Sequence, residues 1–278
     1  MPNQNPWSTV ATADPGKVIL GVDFPAEGRR EADFGDLMKK MGAEWSGYSL
    51  MQTIPPNIRL DERPSSDTYV RHWIQDGPWR EYEVVAVMGY CVGGVYAAPI
   101  ARSVADAQGS MPEVVLFDPQ FTDAGLLASE MVKNISMAGP VFSDEEAEQG
   151  RKDTERIVAA NAGDLMDAAT AIVGLYRDLA SIAFKRLGLN DDRRDEIIRL
   201  FESYMAWLAS AAEIDPAPVW AGATAVMSAD YLGLEAQGNA SVGAATRIID
   251  RRFSLDVTHA DLMRADSTAE LLLDKSRL

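Results

Sequence analysis

Glu83-Val84-Val85-Ala86-Val87-Met88-Gly89-Tyr90-Cys91-Val92-Gly93-Gly94 is the stretch from which the architecture is read. After Glu83 its first residues are apolar without alternation, the pattern of a strand buried on both faces. The glycines then mark a sharp turn, and the small and apolar residues from Val95 to Ala107 predict a packed helix. Glu113 to Phe117 reads as the next strand, stopped by Asp118-Pro119. Strand, helix and strand at these lengths make a βαβ unit, which calls for a parallel sheet.

A residue held between glycines at a strand-to-helix turn has strained backbone angles, and side chains at the glycines would strike the adjoining elements. Cys91 occupies that position. There its sulfur faces a helix N-terminus, which favours thiolate, and the amide of Val92 can donate to an oxyanion. Such a nucleophile needs a base, and the chain holds two histidines. His72 falls in a predicted helix over 66–75, capped by Ser65 and Ser66, and reads as a solvated or partly packed side chain. His259, in Asp256-Val257-Thr258-His259-Ala260-Asp261 beyond the last predicted strand, is the candidate base. Two carboxylates can orient it. Asp118 ends the strand after the elbow helix, and Asp230 follows a strand predicted over Val219–Met227; both reach the carboxyl edge of the sheet, where α/β sites are built.

Outward from this centre, residues 1–16 read as a lead-in segment and Lys17–Val22 as a buried strand. A helix is predicted over Glu31–Met41 and a strand over Tyr48–Ile54, stopped by Pro55-Pro56. Between Gly125 and Ile214 strand signals give way to helical periodicity, including one or two helices within 157–183 and another capped by Asn190 or Asp191. Strand patterning resumes at Val219–Met227 and around Arg247–Leu255, and a last helix is expected at Ser267–Leu273. The expected organisation is a lead-in at 1–16, an α/β core at 17–124 and 215–278 with a mostly parallel central sheet flanked by helices, and a helical lid insertion at 125–214.

The chain has 278 residues, 47% of them hydrophobic, enough for a sizeable core. Its 26 Lys+Arg against 42 Asp+Glu leave a net charge of −16, which argues against nucleic acid and anionic membrane as partners. One cysteine excludes an intramolecular disulfide and cysteine-rich zinc sites, and no metal is expected. The N-terminus lacks the basic and apolar regions of a signal peptide, and no run of about 18 apolar residues appears. A soluble cytoplasmic protein is the expectation; the oligomeric state is not legible.

The order nucleophile, acid, histidine is that of α/β-hydrolases. Within them the sequence resembles the thioesterases that end nonribosomal peptide and polyketide assembly lines. The likeness rests on Val87–Gly94, on Val114-Val115-Leu116-Phe117-Asp118, on Thr258-His259-Ala260-Asp261-Leu262-Met263, and on Asp76-Gly77-Pro78-Trp79 upstream of the elbow. It implies an α/β-hydrolase fold with a helical lid, a Cys91–His259–Asp118 triad, and release of an acyl or peptidyl chain from a carrier protein by hydrolysis, cyclisation or transfer. No cofactor is implied beyond the phosphopantetheine arm that delivers the substrate. Family members mostly carry serine where this chain has Cys91. Their oxyanion loop corresponds to Phe24-Pro25-Ala26-Glu27-Gly28, which makes Ala26 the second amide donor beside Val92. Tyr90, Leu165, Ile172, Phe201, Tyr204 and Trp207 are candidate walls of an acyl channel, and Arg151-Lys152, Lys185-Arg186 and Arg193-Arg194 candidate docking clusters for an acidic carrier. G-Y-C-x-G-G also occurs in dienelactone hydrolases and polyhydroxyalkanoate synthases. The competing expectations are therefore a hydrolase of free lactones and a ligand-binding protein without catalysis.

Overall fold

The computed structural model describes residues 5–13, 16–25, 30–137, 141–188 and 190–274. Among them lie seven strands: β1 (Trp7–Ala11), β2 (Lys17–Val22), β3 (Ser49–Thr53), β4 (Glu83–Tyr90), β5 (Glu113–Phe117), β6 (Thr224–Met227) and β7 (Arg251–Ser254). The helices are α1 (Phe34–Met41), α2 (Ser66–Gln75), α3 (Gly93–Gln108), α4 (Ala124–Met137), α5 (Asp144–Ala160), α6 (Leu165–Leu187), α7 (Asp191–Ala211), α8 (Ala217–Trp220), α9 (Ala229–Ala236), α10 (Ala240–Ile248) and α11 (Asp266–Leu273). Two compact units result, one from the described residues of 1–56, 67–121 and 214–278, the other from 57–66 and 122–213.

The first unit is built on a sheet of order β1-β3-β2-β4-β5-β6-β7, parallel throughout except for the antiparallel β1–β3 pair. Buried runs such as Val18–Val22 reflect covering on both faces, as parallel sheets require. Ala86, Met88 and Tyr90 of β4 share a face with Ile19, Val115, Phe117 and Val226, and that face packs on Phe34, Leu37 and Met41 of α1 and Leu271 and Leu272 of α11. Burying each large apolar side chain contributes about 1.5–3 kcal/mol. Tyr69 and Trp73 of α2 form a second buried group with Tyr96 of α3, the Trp73 and Tyr96 rings meeting edge to face at 5.3 Å.

The second unit is helical. A capping box between Ser143 and Glu146 starts α5, Asp164 caps α6, and Asn190 rather than Asp191 caps α7. Ala180, Ala183 and Phe184 of α6 pack with Ile198 of α7.

Several expectations are corrected. Within the presumed lead-in, β1 is an edge strand whose Trp7 is buried and donates through Nε1 to the Trp73 carbonyl at 3.1 Å. Its other apolar residues, Val10 and Ala11, are only partly buried, so no periodicity announces it. The strand predicted over Val219–Met227 begins at Thr224, because Pro216 and Pro218 open the short α8, which buries Val219 and Trp220. The strand predicted around Arg247–Leu255 is β7 alone, preceded by α10; α9 and α10 were not anticipated. The helical unit also takes residues 57–66 from the expected core and spans 122–213.

Candidate active site

The site lies at the carboxyl ends of the central strands of the first unit, and the hydrogen-bond ladder that aligns those strands continues past their ends. The Cys91 amide donates to the Phe117 carbonyl at 2.8 Å, and the Asp118 amide to the Val226 carbonyl at 3.0 Å. Beyond β6 and β7, the Leu255 amide donates to Met227 and the Ala229 amide to Val257. Cys91, Asp118, Ser228 and His259 are thereby drawn to one sheet edge from four separate parts of the chain.

Cys91 and Asp118 both sit at positive φ, +51° and +46°. Non-glycine residues bear such angles at a cost of roughly 1–3 kcal/mol, and they persist where the surroundings enforce them. Around Cys91 the glycines do this: a Cβ on Gly93 would lie 2.1 Å from the Val22 carbonyl oxygen, and one on Gly89 would lie 2.4 Å from Gly94 Cα. Backbone packing leaves room for hydrogen alone, so strand, turn and helix close around a partly exposed thiol. The Val92 amide opens α3, where amides lack acceptors within the helix.

Asp118, 1% exposed, directs Oδ2 at His259 Nδ1 across 2.7 Å. Its remaining capacity is filled by Ser228, whose amide donates to Oδ1 at 2.7 Å and whose hydroxyl donates to Oδ2 at 2.6 Å. The same hydroxyl accepts from the Tyr231 amide and so caps α9, while the Tyr231 hydroxyl donates to the Pro119 carbonyl. Burial, together with the charges of Asp118 and Cys91, raises the Tyr231 pKa, so this phenol stays a donor. Asp230, the other candidate acid, accepts from the His259 backbone amide at 2.8 Å and holds the main chain of His259 instead of its ring.

Burial disfavours the charged form of His259. Hydrogen bonds to Asp118 and Cys91 and the charges of both outweigh it and carry the imidazole pKa up to about 10. The side chain remains 34% exposed, enough for a reacting molecule to reach it.

Tyr90 does not take the channel position suggested by the sequence. As the last residue of β4 it points to the α1 and α11 face, is 4% exposed, and stacks its ring on the His259 imidazole at 4.7 Å and 19°. Ala26 lies outside the described residues. Of the other channel candidates, Leu165 is half-buried and Ile172 buried, Phe201 packs its ring on Tyr176 at 4.2 Å, and Tyr204 stacks on Trp207 at 6.1 Å. His72 lies in α2, where burial lowers its pKa against the opposing influence of the Ile54 backbone and Asp76. The expected docking clusters are largely neutralised: Arg151 and Lys152 pair with Glu148, Arg186 with Glu146, Arg193 with Glu196, and Arg194 with Asp191 and Asp195.

Ser228 was missed by sequence reading although Ser228-Ala229-Asp230-Tyr231 after a strand is a legible helix cap. Among the described residues no group of three or more His, Cys, Asp or Glu could hold a metal, and no helix is long and apolar enough to cross a membrane. A cavity of about 700 Å³ lined by Trp45, Val85, Glu113, Thr224 and Arg251 opens at the amino ends of the strands, away from Cys91.

No protein-family model and no curated protein sequence matches the chain. Solved structures do. The Vlm2 thioesterase domain bound with a dodecadepsipeptide is 15% identical, with a TM-score of 0.51 over 98% of this chain and 100% of that one. Haloalkane dehalogenase DpaA from Paraglaciecola agarilytica NO2 is 12% identical, with a TM-score of 0.51 over 98% of this chain and 88% of that one. A four-domain nonribosomal peptide synthetase, holo-AB3403, is 13% identical with a TM-score of 0.50, covering 96% of this chain and 20% of that one. The fold is that of the α/β-hydrolases, with a seven-stranded, mostly parallel sheet flanked by helices.

Proposed function

We propose that the protein is a thioesterase or acyltransferase that takes an acyl or peptidyl chain from a carrier-bound phosphopantetheine thioester onto Cys91. The observation that carries this reading is a thiol, in place of a hydroxyl, on a strained elbow beside an imidazole whose Nδ1 meets a buried carboxylate at 2.7 Å. The resemblance at Val87–Gly94 and Thr258–Met263 supports the thioester as substrate, and the Vlm2 thioesterase domain supports the fold's capacity for it.

Chemically, the Cys91 sulfur attacks the thioester carbonyl, and the Val92 amide receives the charge on oxygen. Collapse breaks the bond to the pantetheine sulfur, which leaves with the proton of the His259 imidazolium. Once Cys91 is acylated it no longer offers a negative charge, so the charge that sustained the imidazolium is gone. Neutral His259 then takes a proton from water, an amine or a hydroxyl as that group attacks the acyl-enzyme. The second collapse releases the product and restores thiolate and imidazolium. Throughout, Asp118 fixes the tautomer through its contact with Nδ1. Because the intermediate is itself a thioester, its carbonyl retains more free energy than an ester would, which favours amide and ring formation as well as hydrolysis.

The test is intact mass after exposure to an acyl pantetheine thioester. One acyl group is expected on the wild-type protein and none on Cys91→Ala. An adduct persisting in Cys91→Ala, or turnover of soluble lactones with no turnover of any pantetheine thioester, overturns the reading.

A further inference from the structure

Tyr90 touches the base in two ways. Its hydroxyl donates to the His259 carbonyl at 2.9 Å, and its ring face lies against the imidazole at 4.7 Å with the planes 19° apart. Meanwhile the His259 amide donates to Asp230 Oδ2 at 2.8 Å. The peptide groups on both sides of His259 are therefore held by side chains from β4 and α9, and the ring is fixed at its edge by Asp118 and on its face by Tyr90.

We propose that Tyr90 is a positioning residue of the site: it holds the His259 main chain through its hydroxyl and carries the imidazolium on its ring face, while Asp230 anchors the other end of the same residue. This rests on the reading of His259 as the base. The physics favours a specific role over plain packing. A cation within about 6 Å of an aromatic centroid is attracted by the ring's negative face, and the attraction grows as water is excluded. A neutral imidazole gains much less, so the stack discriminates between the two charge states of one group. Chain geometry makes this arrangement economical: Tyr90 and Cys91 are neighbours, and the reversal at Cys91, φ +51°, sends the thiol to one side of the base while β4 leaves the phenol under its face.

The charged and titratable groups around His259 are few. Asp118 meets the ring from the end of β5, Cys91 meets it from the elbow, Asp230 of α9 meets its backbone amide, and Tyr231 of α9 stands beyond Asp118. On its own turn Asp261 is occupied with Thr258 and Arg264. From α1 and α11, Asp36 pairs with Lys39 and Asp266 with Lys40. Asp261, Arg264, Asp36, Lys39, Asp266 and Lys40 are thus engaged with one another or with Thr258.

With two histidines in the chain, proton NMR of the imidazole Cε1 hydrogens shows two titrating signals at most, separable with His72→Gln. In the wild-type protein the His259 signal should be shifted upfield by the Tyr90 ring and show a nuclear Overhauser effect to it. Tyr90→Leu should lower its titration midpoint by about half a pH unit or more. Tyr90→Phe, which keeps the ring, should leave that midpoint in place. With an acyl pantetheine thioester both variants should lower kcat with little change in KM. A His259 signal without the ring-current shift and Overhauser contact, or a folded Tyr90→Leu variant with the wild-type midpoint, overturns the proposal. Should Tyr90→Leu fail to fold, the wild-type shift and the Tyr90→Phe midpoint still decide. If the NMR results are as expected while no thioester acylates Cys91, the positioning role stands and the proposed function falls.

Discussion

Cys91, His259 and Asp118 are brought together by residues whose sequence signals differ greatly in strength. The thiol was legible because Gly89 and Gly93 are imposed by close backbone approach, a constraint that writes itself into the sequence. His259 was legible as the candidate base by scarcity, one of only two histidines. Asp118 could not be separated from Asp230 by residue type or spacing, since both follow strands at the same sheet edge. What separates them is three-dimensional: Ser228 turns the Asp118 carboxylate toward the ring, while Asp230 meets a backbone amide. The electrostatic state of this group of residues has a consequence for pH. Burial opposes protonation of His259, but Asp118 and Cys91 hold its pKa up to about 10, so in the free protein the imidazolium persists well above neutrality. Acylation of Cys91 in the proposed reaction needs that proton for the departing thiolate. The kcat/KM for a pantetheine thioester should therefore not rise through the ordinary histidine range near 6.5, and should fall through about pH 10. Stopped-flow assays from pH 6 upward, corrected for spontaneous hydrolysis, check this; a profile that climbs through 6.5 to an alkaline plateau would mean that neutral His259 governs acylation.

At the level of elements, buried parallel strands read well and edges read poorly. The ranges of β2 and β5 coincide with the sequence reading, because strands covered on both faces are continuous apolar runs bounded by turn residues. By contrast β1, at the sheet edge, needs only one buried face and looks like a loop in sequence. The same applies to α8, whose Trp220 donates through Nε1 to the Gly94 carbonyl at 2.9 Å, a long-range contact that no local pattern encodes. If β1 were the dispensable lead-in its composition suggests, changing Trp7 would cost little. Yet its ring is 5% exposed, meets Trp79 edge to face at 6.2 Å and hydrogen-bonds the Trp73 carbonyl. Trp7→Ala should destabilise the protein by about 3 kcal/mol, the lower end of the range for a buried tryptophan. Urea denaturation followed by far-ultraviolet circular dichroism gives the number, and a change below about 0.5 kcal/mol, the size expected of a surface substitution, would return β1 to the status of a lead-in.

For the molecule as a whole, the net charge of −16 sets the terms on which a donor protein can approach. The basic side chains of the expected docking clusters are mostly paired with neighbouring carboxylates: Arg186 with Glu146, Arg194 with Asp191 and Asp195, Arg151 and Lys152 with Glu148. Glu146 is held down to a pKa of about 2 by its hydrogen bonds with Arg186 and the Ser143 amide, so it stays charged and its partner stays occupied over the whole working pH range. An acidic carrier protein would therefore meet net repulsion, and repulsion between exposed charges is screened by salt, with a Debye length of about 30 Å at 0.01 M and about 8 Å at 0.15 M. Raising ionic strength across that range should lower KM for a thioester borne on an acidic carrier, the reverse of what a basic docking patch would give. The same thioester on free pantetheine, a small donor on which long-range charge acts weakly, should show little change, so the ratio of the two KM values isolates docking from chemistry. A carrier KM that rises with salt while the pantetheine value stays constant would mean that unpaired cations guide the donor after all, and that the ion pairs on the helical unit open when it binds.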